Sequence, residues 1–332
     1  MLKRLFITLT LITLVAFLSD ASPAVLAATQ TNPPNAGQAL EIAPPIVNLT
    51  VNPGQTVQTS IYLRDIAKTN LIVTGQANDF VASGEDGTPK LLLDGDNSSP
   101  YSMKNWVTAL PSLNLIPQEI KAMTITLQVP KDASPGGHYG VIRFTATPPD
   151  LQGTGVSLSA SLGALMLVTV TGKIHEAVSI AEFSANQNEH TSWFFETPPI
   201  NLVERLKNDG NIHEEPTGQI IIKDMLGRTF TGINVNSPPH NILPASIRKF
   251  EETLDQHAYG KAMMFGRYTA DLKLTYGASK TVLTDQISFW VIPYKLILAI
   301  IVGAILAFFL FRFLIAGYNR RIVAKAQRIR RR

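Results

Sequence analysis

From Leu296 to Phe311 the chain carries no charged or strongly polar side chain. Phe313 to Ala316 extend this run to the ~20 residues that a membrane-spanning helix needs. Arg312 falls near its inner end, where a long basic side chain reaches the headgroups. Trp290, Tyr294 and Tyr318 flank the run, as interfacial aromatics do. Beyond it lie Arg320, Arg321, Lys325, Arg328, Arg330, Arg331 and Arg332, with no acid. Basic residues mark the cytoplasmic side, so the pattern predicts a transmembrane helix over 293–317 and a cytoplasmic tail over 318–332. Everything earlier is then an ectodomain outside the cell membrane, single-pass, with its N-terminal part exported.

The N-terminus agrees. Lys3 and Arg4 precede an apolar run from Leu5 to Leu18, and Val25-Leu26-Ala27 places small residues at a cleavage site after Ala27. This is the layout of a secretory signal over 1–27, and the apolar run is short for an uncleaved anchor.

Topology changes the meaning of the charge. The formal net charge is +4, but residues from Pro293 onward hold nine basic residues and no acids. The ectodomain has 18 basic against 24 acidic residues. An acidic ectodomain argues against nucleic acid as a partner, and the basic tail suits anionic membrane lipid. Cysteine is absent, which removes disulfides, thiol catalysis and zinc–thiolate or iron–sulfur sites. Stability must come from core burial, which ~260 residues supply as two domains of ordinary size.

Residues 28–43 are rich in Thr, Asn, Pro, Gly and Gln and read as a flexible leader. From Ile46 the period is two. Val47, Leu49 and Val51 alternate up to Asn52-Pro53-Gly54-Gln55, then Val57, Thr59, Ile61 and Leu63 resume. Short alternating strands between Pro/Gly turns predict an Ig-like β-sandwich over 44–172. The span 81–118 breaks the rhythm with Gly84-Glu85-Asp86-Gly87 and Asp94-Gly95-Asp96-Asn97-Ser98, and reads as an insertion. Val156 to Val170 is apolar enough for one buried strand or a bent pair. A second sandwich is predicted over 173–292, with hairpin-type turns at Asn208-Asp209-Gly210-Asn211 and Asp224-Met225-Leu226-Gly227. The fold expected is all-β: two tandem Ig-like sandwiches with one C-terminal transmembrane helix.

Signs of catalysis are poor. Asp94-Gly-Asp96-Asn-Ser98 opens like a calcium loop, but Ser99 and Asn105 stand where that loop needs Gly and Glu. The histidines follow no metal-ligand spacing. Ser246 and Lys249 match a serine–lysine spacing of penicillin-recognising enzymes, in a β context without the companion motifs. The reading is a protein that is not an enzyme and needs no cofactor or metal. Tyr101, Trp106 and Tyr139, with Trp193, are candidate platforms for stacking on sugar rings; the alternative for Trp106 and Tyr139 is a place in the core. Peptidoglycan or another surface protein is the expected partner. An accessory subunit of a secretion or pilus complex is the structural alternative, and a serine hydrolase using Ser246 and Lys249 is a third reading.

Asn52-Pro53-Gly54-Gln55-Thr56, the run Val129 to Ile142, and Lys207-Asn208-Asp209-Gly210-Asn211-Ile212-His213 together resemble the WxL-interacting surface proteins of Gram-positive bacteria. The resemblance implies a peptidoglycan-binding first domain, and a second domain facing a host or partner protein.

Overall fold

The computed structural model describes residues 40–93, 99–147, 160–255 and 264–329. The signal-like segment and the Asp94–Ser98 run lie outside them. The described chain is mostly β, in two sandwiches followed by one helix.

The first sandwich is built from β1 (Leu40–Ala43), β2 (Ile46–Val51), β3 (Thr56–Asp65), β4 (Leu71–Ser83), β5 (Thr88–Leu92), β6 (Leu113–Leu115), β7 (Ile120–Gln128), β8 (Gly136–Thr147) and β9 (Ala160–Val170). One sheet has the order β1-β3-β7; the other runs β2-β9-β8-β4-β5, with β6 beside β4. Alternation decides the core: Ile61, Leu63, Met123, Ile125 and Leu127 face Val73, Ile142, Phe144, Met166 and Val168. The first two strands serve both sheets. β1 pairs antiparallel with β3, whereas β2 pairs parallel with β9. Pro44 and Pro45 stand between them; proline has no N–H for a ladder, so the pairing breaks where the chain changes sheets. Leu40 to Ala43, the end of the stretch whose composition reads as a leader, are therefore already strand.

The span 81–118 is not a loop insertion throughout. β4 continues to Ser83, and a tight turn through Gly84 and Gly87, both at positive φ, leads into β5. A 3-10 turn over Lys104–Trp106 and β6 follow. Its glycines and charges are the turn of a hairpin, which a scan for loop composition does not separate from an insertion. The apolar run ending at Val170 is one strand, β9, from Ala160.

The second sandwich contains β10 (Val178–Gln187), β11 (His190–Thr191), β12 (Phe194–Phe195), β13 (Ile200–Asn208), β14 (Thr217–Lys223), β15 (Thr229–Val235), β16 (Ser246–Leu254), β17 (Gly266–Tyr276) and β18 (Thr281–Val291). Its sheets run β11-β10-β13-β16 and β12-β18-β17-β14-β15. Asp224–Gly227 closes the β14–β15 hairpin as expected. Asn208–Asn211 does not form a hairpin: β13 and β14 lie in different sheets. Asn208 is fully buried, accepts from the Gly210 N–H, and donates to the carbonyls of Ile212 and Ile242. The Asp-Gly chemistry that closes hairpins here ties a corner between sheets.

The sandwiches are tied to each other by several contacts. The Gly137 N–H donates to the Asn211 carbonyl (2.7 Å), and Asn211 Nδ2 donates to the carbonyls of Pro135 and Lys173 (both 3.1 Å). The β4–β5 turn docks on β16: the Lys249 N–H donates to the Glu85 carbonyl (2.7 Å). Arg205 pairs with the Glu85 carboxylate (2.6 Å) and with Glu182. Pro293 and one further residue separate β18 from α1 (Tyr294–Ile329). Tyr294–Asn319 of α1 has a mean hydropathy of 2.7, is long and apolar enough to cross a membrane, and is unburied among the described residues.

Candidate functional site

An antiparallel sheet packed on one face ordinarily turns polar side chains to water on the other. The larger sheet of the first sandwich does not. Phe80, Tyr139, Val141 and Leu167 form a second apolar layer on its outer face, at 5, 2, 6 and 3% exposure. Tyr101, Leu91 and Leu243 cover part of it; Tyr101 meets Tyr139 edge-on at 6.1 Å. Leu243 comes from the second sandwich, so the two domains share this layer.

The uncovered part is a groove. One hollow of about 330 Å³ lies between the sandwiches, floored by Leu165 and Leu167 and walled by Ile242, Leu243 and Ile247. A second, of about 520 Å³, runs over Val141, Leu162 and Leu91 toward the sheet edge. They join through shared Ile46, Phe80, Pro89 and Leu165. Both volumes fall within the range of ligand-binding clefts, and the lining is predominantly apolar. Gly163 forms part of the floor; a Cβ there would press on Val141 at 2.7 Å, so the backbone itself lines the groove.

Polar side chains reach the first hollow from Asn48, Glu215, His240, Asn241, Ser246 and Arg248, and the second from Arg143 and Ser161. Arg248 donates from Nη1 to the Asn241 carbonyl (2.8 Å) and lies over the Phe250 ring at 5.6 Å. Burial weakens its hold on its proton, and Asp86 partly restores it. Arg143 gives Nη2 to Gln76 (2.6 Å), while its buried Nε–H and the buried Asn241 Oδ1 have no partner among the described residues. β9 also leaves backbone groups open. β8 covers it from Ala160 to Val170 on one side, but β2 covers only Leu165 to Val170 on the other. Among the described residues, Ala160–Ala164 therefore present an unpaired edge beside the groove.

The aromatics singled out from the sequence fall in different places. Trp106 is 9% exposed in the main core, its ring 4.5 Å from that of His138. Tyr139 is held among Phe80, Tyr101 and His213, with its hydroxyl 3.4 Å from His213 Nδ1, and burial pushes its phenol up. Tyr101 is half-buried and lines a smaller hollow of about 180 Å³ with Phe80 and Leu243. Trp193, 69% exposed, lies in the second sandwich. Ser246 and Lys249 do not meet. Three residues apart on β16 they point to opposite faces, with Ser246 Oγ donating to the Leu243 carbonyl and Lys249 paired with Glu251. Among the described residues no three His, Asp or Glu side chains are placed to hold a metal.

The sequence reading missed Phe80, Leu165 and Arg248. The signal available was the run through β9: apolar residues at both odd and even positions mean that neither face of the strand meets water.

No family model and no curated protein matches the chain. Among solved structures, the class 5 fimbriae chaperone CfaA matches at 13% identity over 74% of this chain and 98% of its own, with a TM-score of 0.38. The Escherichia coli chaperone DraB matches at 13% identity, 75% and 96% coverage and a TM-score of 0.33. The Acinetobacter baumannii CsuC–CsuE chaperone–tip subunit complex matches at 14% identity, 65% and 97% coverage and a TM-score of 0.29. At such scores no residue role is carried across. The resemblance to WxL-interacting surface proteins, and the peptidoglycan-binding first domain it implied, does not hold: the matching structures named above are pilus chaperones. The motifs behind it are turn chemistry. Gln55 caps its own turn through Asn52, and Asn208 ties a corner, uses open to any sandwich.

Proposed function

We propose that this protein is a non-catalytic accessory protein of a bacterial envelope, held at the membrane by α1, that binds an extended apolar segment of a partner surface protein. The observation that carries the reading is the groove: an apolar trough continuous across the outer face of the first sandwich, beside an open strand edge. An extended segment added at Ala160–Ala164 would satisfy backbone groups there, and its alternate side chains would fall into the hollows. Arg143 Nε offers a further donor to such a segment. Tyr101 would contact the segment from the groove's margin, in place of a sugar-stacking platform. CsuC, one of the chaperones compared above, is held in a pre-assembly complex with a tip adhesion subunit.

The test is a photo-crosslinking side chain at Ile46 in the intact chain, in cells. The expected result is an adduct with an exported protein that disappears when Leu165→Arg fills the groove floor with charge. No adduct at Ile46, together with retention of the chain on insoluble peptidoglycan, would refute the reading.

A further inference from the structure

The second sandwich has an apolar end. Among its described residues seven large hydrophobic side chains are exposed: Trp193, Phe194, Met225, Leu226, Phe265, Trp290 and Val282. All but Val282 gather where β18 gives way to α1. Phe194 pairs with Trp290, and Phe265 adjoins Gly266, which pairs with Val291. Met225, on the β14–β15 turn, lies against Gly266, and Leu226 is next to it, 70% exposed. Val282 sits at the opposite end of β18, across from Thr275.

This end is in contact with the start of the helix. The Trp290 N–H donates to the Trp193 carbonyl (2.8 Å), and the Ile292 N–H to the Phe195 carbonyl (2.9 Å). Lys295 of α1 pairs with Glu196 (2.6 Å), and the Tyr294 ring meets Phe194 at 6.3 Å. Two residues between strand and helix span at most about 7 Å. The polar layer on each side of a bilayer's hydrocarbon is itself about 5–7 Å thick. A joint of that length brings the apolar end to the headgroups once α1 is in the membrane. Its composition, Trp, Phe, Met and Leu around a helix entrance, is that of an interfacial surface.

We infer that this end of the second sandwich is seated in the lipid headgroup layer, through Trp193, Phe194, Met225, Leu226, Phe265 and Trp290. The inference rests on the reading of α1 as a membrane span. Lipid contact on both strand and turn sides of α1 holds the sandwich upright at a fixed height, with the groove-bearing domain beyond it.

The chain has no cysteine, so a single introduced thiol is labelled cleanly. Leu226→Cys, Phe265→Cys and, as a distal control, Val282→Cys are made in the full chain, labelled with a polarity-sensitive fluorophore and reconstituted in phosphatidylcholine liposomes. Flotation first reports insertion. Lipids carrying a quencher near the glycerol then report depth. The expected result is blue-shifted emission with several-fold stronger quenching at positions 226 and 265 than at 282. Water-like, unquenched emission at both positions in chains that float would overturn the inference and leave the span standing. Shielded emission without lipid quenching would assign the surface to a protein contact instead. Failure to float would remove the span and the seat together.

Discussion

Glu204 stands on the core face of β13, in line with Ile200, Leu202 and Leu206, and is fully buried. Neither carboxyl oxygen has a hydrogen-bond partner among the described residues. Burial, then the nearby Glu252 carboxyl, pushes its pKa up from 4.5 to about 9. In the folded chain it is a neutral acid at pH 7, whereas in the unfolded chain it is ionised. Folding therefore takes up a proton between those two values, and stability is full below pH 4.5 and falls as pH rises toward 9. The slope is about 1.4 kcal/mol per pH unit, so about 3 kcal/mol is lost between pH 4.5 and 7. Glu204→Gln keeps the shape and cannot ionise. In detergent-solubilised full-length protein, its second sandwich should melt about 10 °C or more above the parent at pH 8, with the difference shrinking to little by pH 4.5. Glu214, raised to about 7, and Glu252, also raised, tilt the parent curve the same way but remain in the variant. The difference between the curves isolates Glu204. Parallel curves from pH 5 to 8 would refute the argument, because they would mean that the carboxyl is ionised or hydrogen-bonded in the fold.

Other perturbations probe the joint and the core. Trp106→Ala should cost the first sandwich about 3–5 kcal/mol by denaturant unfolding, as loss of a buried large aromatic does, while Tyr101→Ala should cost far less. Burial lowers His213 to about 4, so the unfolded chain gains a proton below about pH 6.5 that the folded chain does not; stability falls as pH drops from there, and His213→Gln should flatten that acid limb in melts at pH 4.5 to 6.5. Gly87 holds φ +77° and faces the Arg248 guanidinium, so Gly87→Val should dislodge the β4–β5 turn from β16 and raise limited proteolysis of that turn.

What the sequence by itself determined is what local periodicity and composition carry. The alternation of Ile61, Leu63, Met123, Ile125 and Leu127 demands a pleated, half-buried strand, and a run such as Leu296–Phe311 is too apolar for water; both follow from each residue's own side chain and near neighbours. What only the tertiary structure decided depends on partners distant in the chain. Asn208-Asp209-Gly210-Asn211 carries hairpin chemistry, yet it makes a corner because β13 finds β10 and β16, and no local signal names those partners. Trp106 and Tyr101, five residues apart in one polar stretch, separate into core and groove margin because Trp106 packs beside His138 on β8. The groove joins residues from Ile46 to Arg248, and among the described residues its edge is open because β2 stops pairing at Leu165. The aromatic end of the second sandwich likewise gathers residues 193, 225, 265 and 290, which share nothing in sequence and meet because strand pairing brings four chain segments to the entrance of one helix.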